Sequence, residues 1–111
     1  MEKIEYKFNE DAVLEFLKSY IDKTYAAHYA TGKIQATEFI FDSEHGVGFC
    51  LGNIMKYAMR YGKKPDPVTG EYKNQGDLLK IIHYAIMLYG SEHIEVLDGG
   101  TISEVENIDI K

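Results

Sequence analysis

The chain has 111 residues, 45% of them hydrophobic and 27% charged, which is the length of one domain and the composition of an ordinary globule, so intrinsic disorder and fibrous architectures are set aside. Eighteen acidic against twelve basic residues give a formal net charge of -6, and this argues against bulk electrostatic coating of nucleic acid. The imbalance is regional: residues 1–27 carry six acidic and four basic side chains, residues 28–89 six and seven, and residues 90–111 six and one.

Cys50 is the only cysteine, which excludes an internal disulfide and points to a reducing compartment. Met1-Glu2-Lys3-Ile4-Glu5 has no apolar run after a basic segment, so no secretory signal is expected. The most apolar stretch, Ile81 to Tyr89, is interrupted by His83 and falls far short of the ~20 residues of a membrane span. A cytoplasmic protein without membrane association is the expectation.

Residues 2–8 alternate, with Ile4, Tyr6 and Phe8 on one side and Glu5 and Lys7 on the other, the period of a half-buried strand. Asn9 then stands as an N-cap before Val13, Phe16, Leu17, Tyr20, Ile21, Thr24 and Tyr25, whose spacing predicts a first helix over about 10–27, with Glu10 and Asp11 in its first turn. Thr31-Gly32 breaks the chain, and a short second helix is expected from Thr37 to Glu44. His45-Gly46-Val47-Gly48 punctuates before a third helix from Phe49 to Tyr61 that is apolar almost all round, as buried helices are.

Gly62 to Gly70 holds both prolines and reads as a loop. Asn74 or Gly76 then opens a last helix over about Asp77 to Tyr89, stopped by Gly90. Ile94, Val96, Ile102, Val105, Ile108 and Ile110, with Asp98-Gly99-Gly100 between them, read as a β-hairpin. The expected fold class is α+β: a mainly helical core of about four helices, a short N-terminal strand and a C-terminal β-hairpin. All of it is expected to form a single domain, 1–111, with 90–111 as an acidic hairpin tail.

Asn53, Lys56 and Arg60 fall at i, i+3 and i+7 of the third helix, within an arc of ~60°. Asp77, Lys80 and Tyr84 repeat the spacing on the last helix, with His83 beside the arc. If the two helices pack as antiparallel neighbours, the two stripes could converge on one groove offering two or three cations (Lys56, Arg60, Lys80), an amide (Asn53) and a carboxylate (Asp77). Such a set suits an anionic ligand, since Arg binds phosphate bidentately and Lys adds a compact charge. Both stripes also fit the solvated faces of buried helices.

Gly46-Val47-Gly48-Phe49-Cys50-Leu51-Gly52 is one residue off the dinucleotide fingerprint, and either leads an anion to a helix N-terminus or forms a tight turn with close packing. His28, followed by Tyr29, lies on the apolar side of the first helix, as a packed histidine or as a phosphate donor or acid/base group. His45, His83 and His93 show no zinc-ligand spacing with Cys50, so no structural metal is expected. Of nine tyrosines, with no tryptophan, Tyr57, Tyr61, Tyr84 and Tyr89 lie in or beside the polar stripes as candidates to stack on a base, while most of the nine are expected in core or interface. No P-loop, H-E-x-x-H motif or nucleophile elbow occurs.

His28-Tyr29, Gly32, Glu38-Phe39-Ile40, Phe49-Cys50-Leu51-Gly52-Asn53-Ile54-Met55-Lys56-Tyr57, Arg60-Tyr61, Lys63-Lys64, Asp77-Leu78, Lys80 and Tyr84 together resemble the SaV-like family of small bacteriophage proteins, often labelled nucleotide kinase-like. The resemblance covers 28–89, a helical core, and its G-N-x-x-K-Y-x-x-R segment is its most specific part. It implies phage origin, action in the cytoplasm of an infected bacterium, self-association as a homo-oligomer, and handling of nucleotides. Phosphorylation of deoxynucleoside monophosphates is claimed for some members. One departure is Ile81, where the family commonly has alanine in Lys-Ala-x-x-Tyr, and this bears on pocket shape and ligand.

The leading expectation is a phage-encoded protein that holds a phosphorylated nucleotide or nucleotide-derived small molecule in a cationic, helix-lined pocket, and so sequesters a nucleotide immune signal as an anti-defence device. Lys56, Arg60 and Lys80 hold phosphate in this reading; Asn53, Tyr57, Tyr84, His28 and Tyr29 complete the ligand site. Binding alone implies no cofactor. The enzymatic alternative is a deoxynucleoside monophosphate kinase lacking a P-loop, which requires ATP and Mg²⁺, with Asp77 and Glu38 as candidate metal or acid/base groups. A third reading is a host-protein interaction module that uses the acidic tail.

Overall fold

The computed structural model describes residues 3–94. Four helices follow one another: α1 (Glu10–Thr31), α2 (Lys33–Asp42), α3 (Gly46–Arg60) and α4 (Gln75–His93). They fall into two compact units divided between His45 and Gly46, α1 packing with α2 and α3 with α4.

No strand occurs among the described residues, so the expected α+β class is overturned in favour of a helical one. Residues 3–9 lie outside any helix or strand, with Ile4 68% and Phe8 80% exposed. Alternation gives a segment two faces but no partner, and a strand needs a neighbouring ladder for its N–H and C=O groups. No described residue supplies that ladder. The hairpin expected around Ile94 to Ile110 lies, beyond Ile94 itself, outside the described residues.

In the first unit, Asn9 takes the N-cap position in the left-handed conformation (φ 59°) and makes no side-chain capping bond. The Glu10 carboxylate accepts from the Phe8 N–H at 2.8 Å instead. α1 runs past residue 27 to Thr31, where Gly32 (φ 77°) donates its N–H to the His28 and Tyr29 carbonyls, the left-handed cap that glycine adopts without a Cβ penalty. The same glycine opens α2, its carbonyl accepting from the Ala36 N–H at 3.1 Å, so α2 begins at Lys33 rather than at Thr37. Glu44, at φ 67°, closes α2 by donating to the Phe41 carbonyl while His45 donates to that of Ile40. Leu17 is the buried apolar side chain of α1.

In the second unit, Gly46, Gly48 and Gly52 are all helical, so the glycine-rich stretch forms no loop ahead of α3. After Arg60 the chain turns on its own hydrogen bonds. Gly62 (φ 83°) donates to Tyr72 O, Asp66 N–H to Glu71 O, and the Asp66 carboxylate accepts from the Val68 and Thr69 N–H groups. Asn74 then caps α4, its side chain accepting from the Gly76 N–H at 2.8 Å. α4 passes through Gly90 and ends at His93, because glycine inside a helix costs only about 1 kcal/mol against alanine and does not stop it unaided.

Candidate functional site

Three- and four-residue steps align Asn53, Lys56, Tyr57 and Arg60 along α3, and Asp77, Lys80 and Tyr84 along α4. Arg60 faces Asp77 and Tyr57 faces Tyr84, so rising residue numbers on one helix meet falling numbers on the other. The pair is antiparallel and the two stripes meet.

Tyr57 is their centre. Lys56 Nζ stands 4.6 Å from its ring centroid, Lys80 Nζ 5.2 Å and Arg60 Cζ 5.5 Å. The Tyr84 ring stacks on it with centroids 6.2 Å apart and planes 14° from parallel, and Phe49 meets Tyr84 edge-on at 5.6 Å. With all three cations this close to one point, every pair lies within roughly a Debye length at 0.1 M salt, ~10 Å, and the charges repel one another. Cation–π attraction, about 0.5–1 kcal/mol at an exposed site, offsets part of that repulsion.

Among the described residues one carboxylate pairs with the cluster, through Arg60. Asp77 is 1% exposed, and its Oδ1 lies 3.9 Å from Nε of Arg60, whose side chain is 34% exposed. That separation is an ion pair but not a hydrogen bond. Asp77 Oδ2 and Arg60 Nε are both buried without a hydrogen-bond partner. Lys56 and Lys80 are exposed, and Tyr57 and Tyr84 half-buried. Asn53 commits one amide proton to the Phe49 carbonyl at 2.9 Å.

Seven of the ten expected site residues thus share the second unit, whereas His28, Tyr29 and Glu38 belong to the first. His28 is half-buried in the last turn of α1, and its carbonyl accepts from the Thr31 hydroxyl at 3.1 Å. Tyr29 is exposed and sets its ring 6.3 Å from that of Tyr25; Glu38 is exposed on α2. Among the described residues no group of three or more His, Cys, Asp or Glu side chains is placed to hold a metal ion.

Two features were not read from the sequence. Phe49 braces Tyr84, and its position four residues before Asn53 on the same face was the available signal. The Arg60–Asp77 partnership needed the loop geometry. Cys50 is fully buried, and burial pushes its thiol above the ordinary value of 9.0, so it packs as a protonated group rather than as a nucleophile. Ile81 lines an open apolar groove of about 570 Å³ with Ile82, Ala85, Ile86, Tyr89, Gly90 and Ile94, and no cation of the cluster lines it. No helix among the described residues is long and apolar enough to cross a membrane.

Fold and site define a class: a helical protein whose antiparallel α3–α4 pair gathers three cations around a tyrosine stack. Residues 23–86 match the family model described as "Protein of unknown function (DUF3310)"; the match covers more than half of the chain, which belongs to that family. Every candidate residue, from His28 to Tyr84, lies inside the matched span. No curated protein and no solved structure matches the chain.

Proposed function

We propose that the α3–α4 pair binds a phosphorylated nucleotide, with Lys56, Arg60 and Lys80 on phosphate and Tyr57, Tyr84 and Asn53 toward base or sugar. The observation that carries this reading is the convergence of the three cations within 5.5 Å of one ring centroid, with Asp77 the one carboxylate paired to any of them among the described residues. A dianionic phosphate supplies the charge this cluster lacks, through the fork of the arginine and the point charges of the lysines. The tyrosine pair adds a flat surface on which a base stacks, worth about 1–3 kcal/mol per base where measured.

The resemblance to SaV-like proteins extends the proposal to a phage protein acting in the cytoplasm of an infected bacterium, where it sequesters a nucleotide immune signal. It also supports self-association, for which the exposed α3 stripe of Val47, Leu51 and Met55 offers an apolar surface; sedimentation of the protein and of Met55→Glu checks this.

Calorimetric titration with deoxynucleoside monophosphates and cyclic dinucleotides tests the binding. We expect saturable binding that Lys56→Ala and Arg60→Ala each weaken at least tenfold. Unchanged affinity in both variants overturns the site. Chromatography after incubation with ATP and Mg²⁺ decides between sequestration, which leaves the nucleotide intact, and phosphotransfer, which yields a diphosphate.

A further inference from the structure

Among the described residues the two buried side-chain atoms without a hydrogen-bond partner belong to the same pair. Asp77 is the third residue of α4, held there by the Asn74 cap, and its carboxylate is almost wholly withdrawn from water. Its Oδ2 has no donor and its Oδ1 reaches Arg60 Nε only at 3.9 Å. A buried carboxylate in this state is costly, and replacing a buried ion pair with uncharged groups is often neutral or stabilising. The positive end of the α4 dipole favours an acidic residue in this first turn, but it does not account for a carboxylate withdrawn from water with one oxygen unpaired.

The geometry around Arg60 gives a reason. An arginine has five N–H donors in a rigid fork, one on Nε and four on the two Nη atoms. Nε is turned toward Asp77, and Cζ stands over the Tyr57 ring. Among the described residues no hydrogen bond occupies the Nη edge, which keeps four donors for a bidentate grip on an anion.

Resting on the phosphate reading above, we propose that Asp77 is a positioning residue: it holds the Nε edge of Arg60 so that the Nη edge meets the phosphate. The pair is loose in the free protein, and it closes to hydrogen-bond length when the anion draws the guanidinium into place. The ligand then organises both of its partners.

Asp77→Asn tests this by direction. Removing a negative charge beside three cations should tighten phosphate binding if Asp77 acts only through its field. Positioning demands the opposite. We expect Asp77→Asn to weaken binding of deoxyadenosine monophosphate and of inorganic pyrophosphate about tenfold, the loss of one charge-assisted hydrogen bond. The loss should vanish in the Arg60→Lys background but persist in Lys56→Ala. The Arg60 Nε–H resonance should gain exchange protection on adding pyrophosphate to wild type and not to Asp77→Asn, a signature that a purely structural role would not move. Unchanged or tighter binding by Asp77→Asn, or losses additive with Arg60→Lys, overturns the positioning role while the phosphate site stands. Absence of binding by the wild type overturns both.

Discussion

The Tyr57 and Tyr84 rings, 14° from parallel at 6.2 Å, join the α3 stripe to the α4 stripe. Such a pair contributes about 0.5–1.5 kcal/mol beyond the area it buries. A double-mutant cycle of Tyr57→Leu and Tyr84→Leu, followed by urea unfolding, should return a coupling energy in that range, whereas Tyr57→Phe should keep it. Strict additivity would show that the rings are neighbours without being partners.

Phosphate should stabilise the protein more than chloride does at matched ionic strength. Screening by either salt relieves repulsion among Lys56, Arg60 and Lys80, but only an anion that binds the folded cluster adds a linkage gain, about 1.4 kcal/mol at ten times its dissociation constant. Thermal melts in the two salts measure the difference. It should disappear in a Lys56→Gln/Lys80→Gln variant.

Two helical glycines should respond with opposite sign to alanine. A Cβ at Gly90 meets nothing within 4 Å, so Gly90→Ala gains the usual helix-interior benefit of about 0.5–1 kcal/mol. At Gly76 the Cβ would stand 2.9 Å from Oδ1 of Asn74, the atom that caps α4. Losing a cap costs about 1 kcal/mol or more, so Gly76→Ala should give no gain and a net loss. Denaturation midpoints of the two variants settle the signs.

Stability should fall as the pH rises past about 9 in a manner that depends on Cys50. Burial raises the folded-state value of this thiol above 9.0, so the unfolded chain releases the proton first and alkaline pH favours unfolding; the contribution is full below 9.0 and is lost as pH climbs through the folded value. Tyrosines and lysines titrate in the same region. The measurable quantity is therefore the stability difference between wild type and Cys50→Ala, which should shrink between pH 8 and pH 11. A difference independent of pH would refute it.

The helices were legible in the sequence because their apolar period is written in side chains. Their ends were less so, since these depend on backbone conformation: Gly32 closes α1 where periodicity had stopped at 27, and α4 ignores Gly90. The strand at residues 2–8 misled because alternation is a local property, whereas pairing is not. Each polar stripe was legible by its i, i+3, i+7 spacing. That Arg60 meets Asp77 was not, because it is set by how residues 61–74 return the chain through the Gly62, Asp66 and Asn74 bonds. His28 reads as a packed or phosphate-donating histidine from its place on the first helix, Tyr29 and Glu38 come with the resemblance, and the i, i+3, i+7 spacing ties none of the three to the stripes.

Gly32 ends one helix with its N–H and begins the next with its carbonyl. The corner between α1 and α2 therefore contains a single residue of linker and no slack. Inserting or deleting one residue on either side would break one of those bonds or turn the face of α2 by about 100°, so a change of length at that corner costs more than one in a loop with slack.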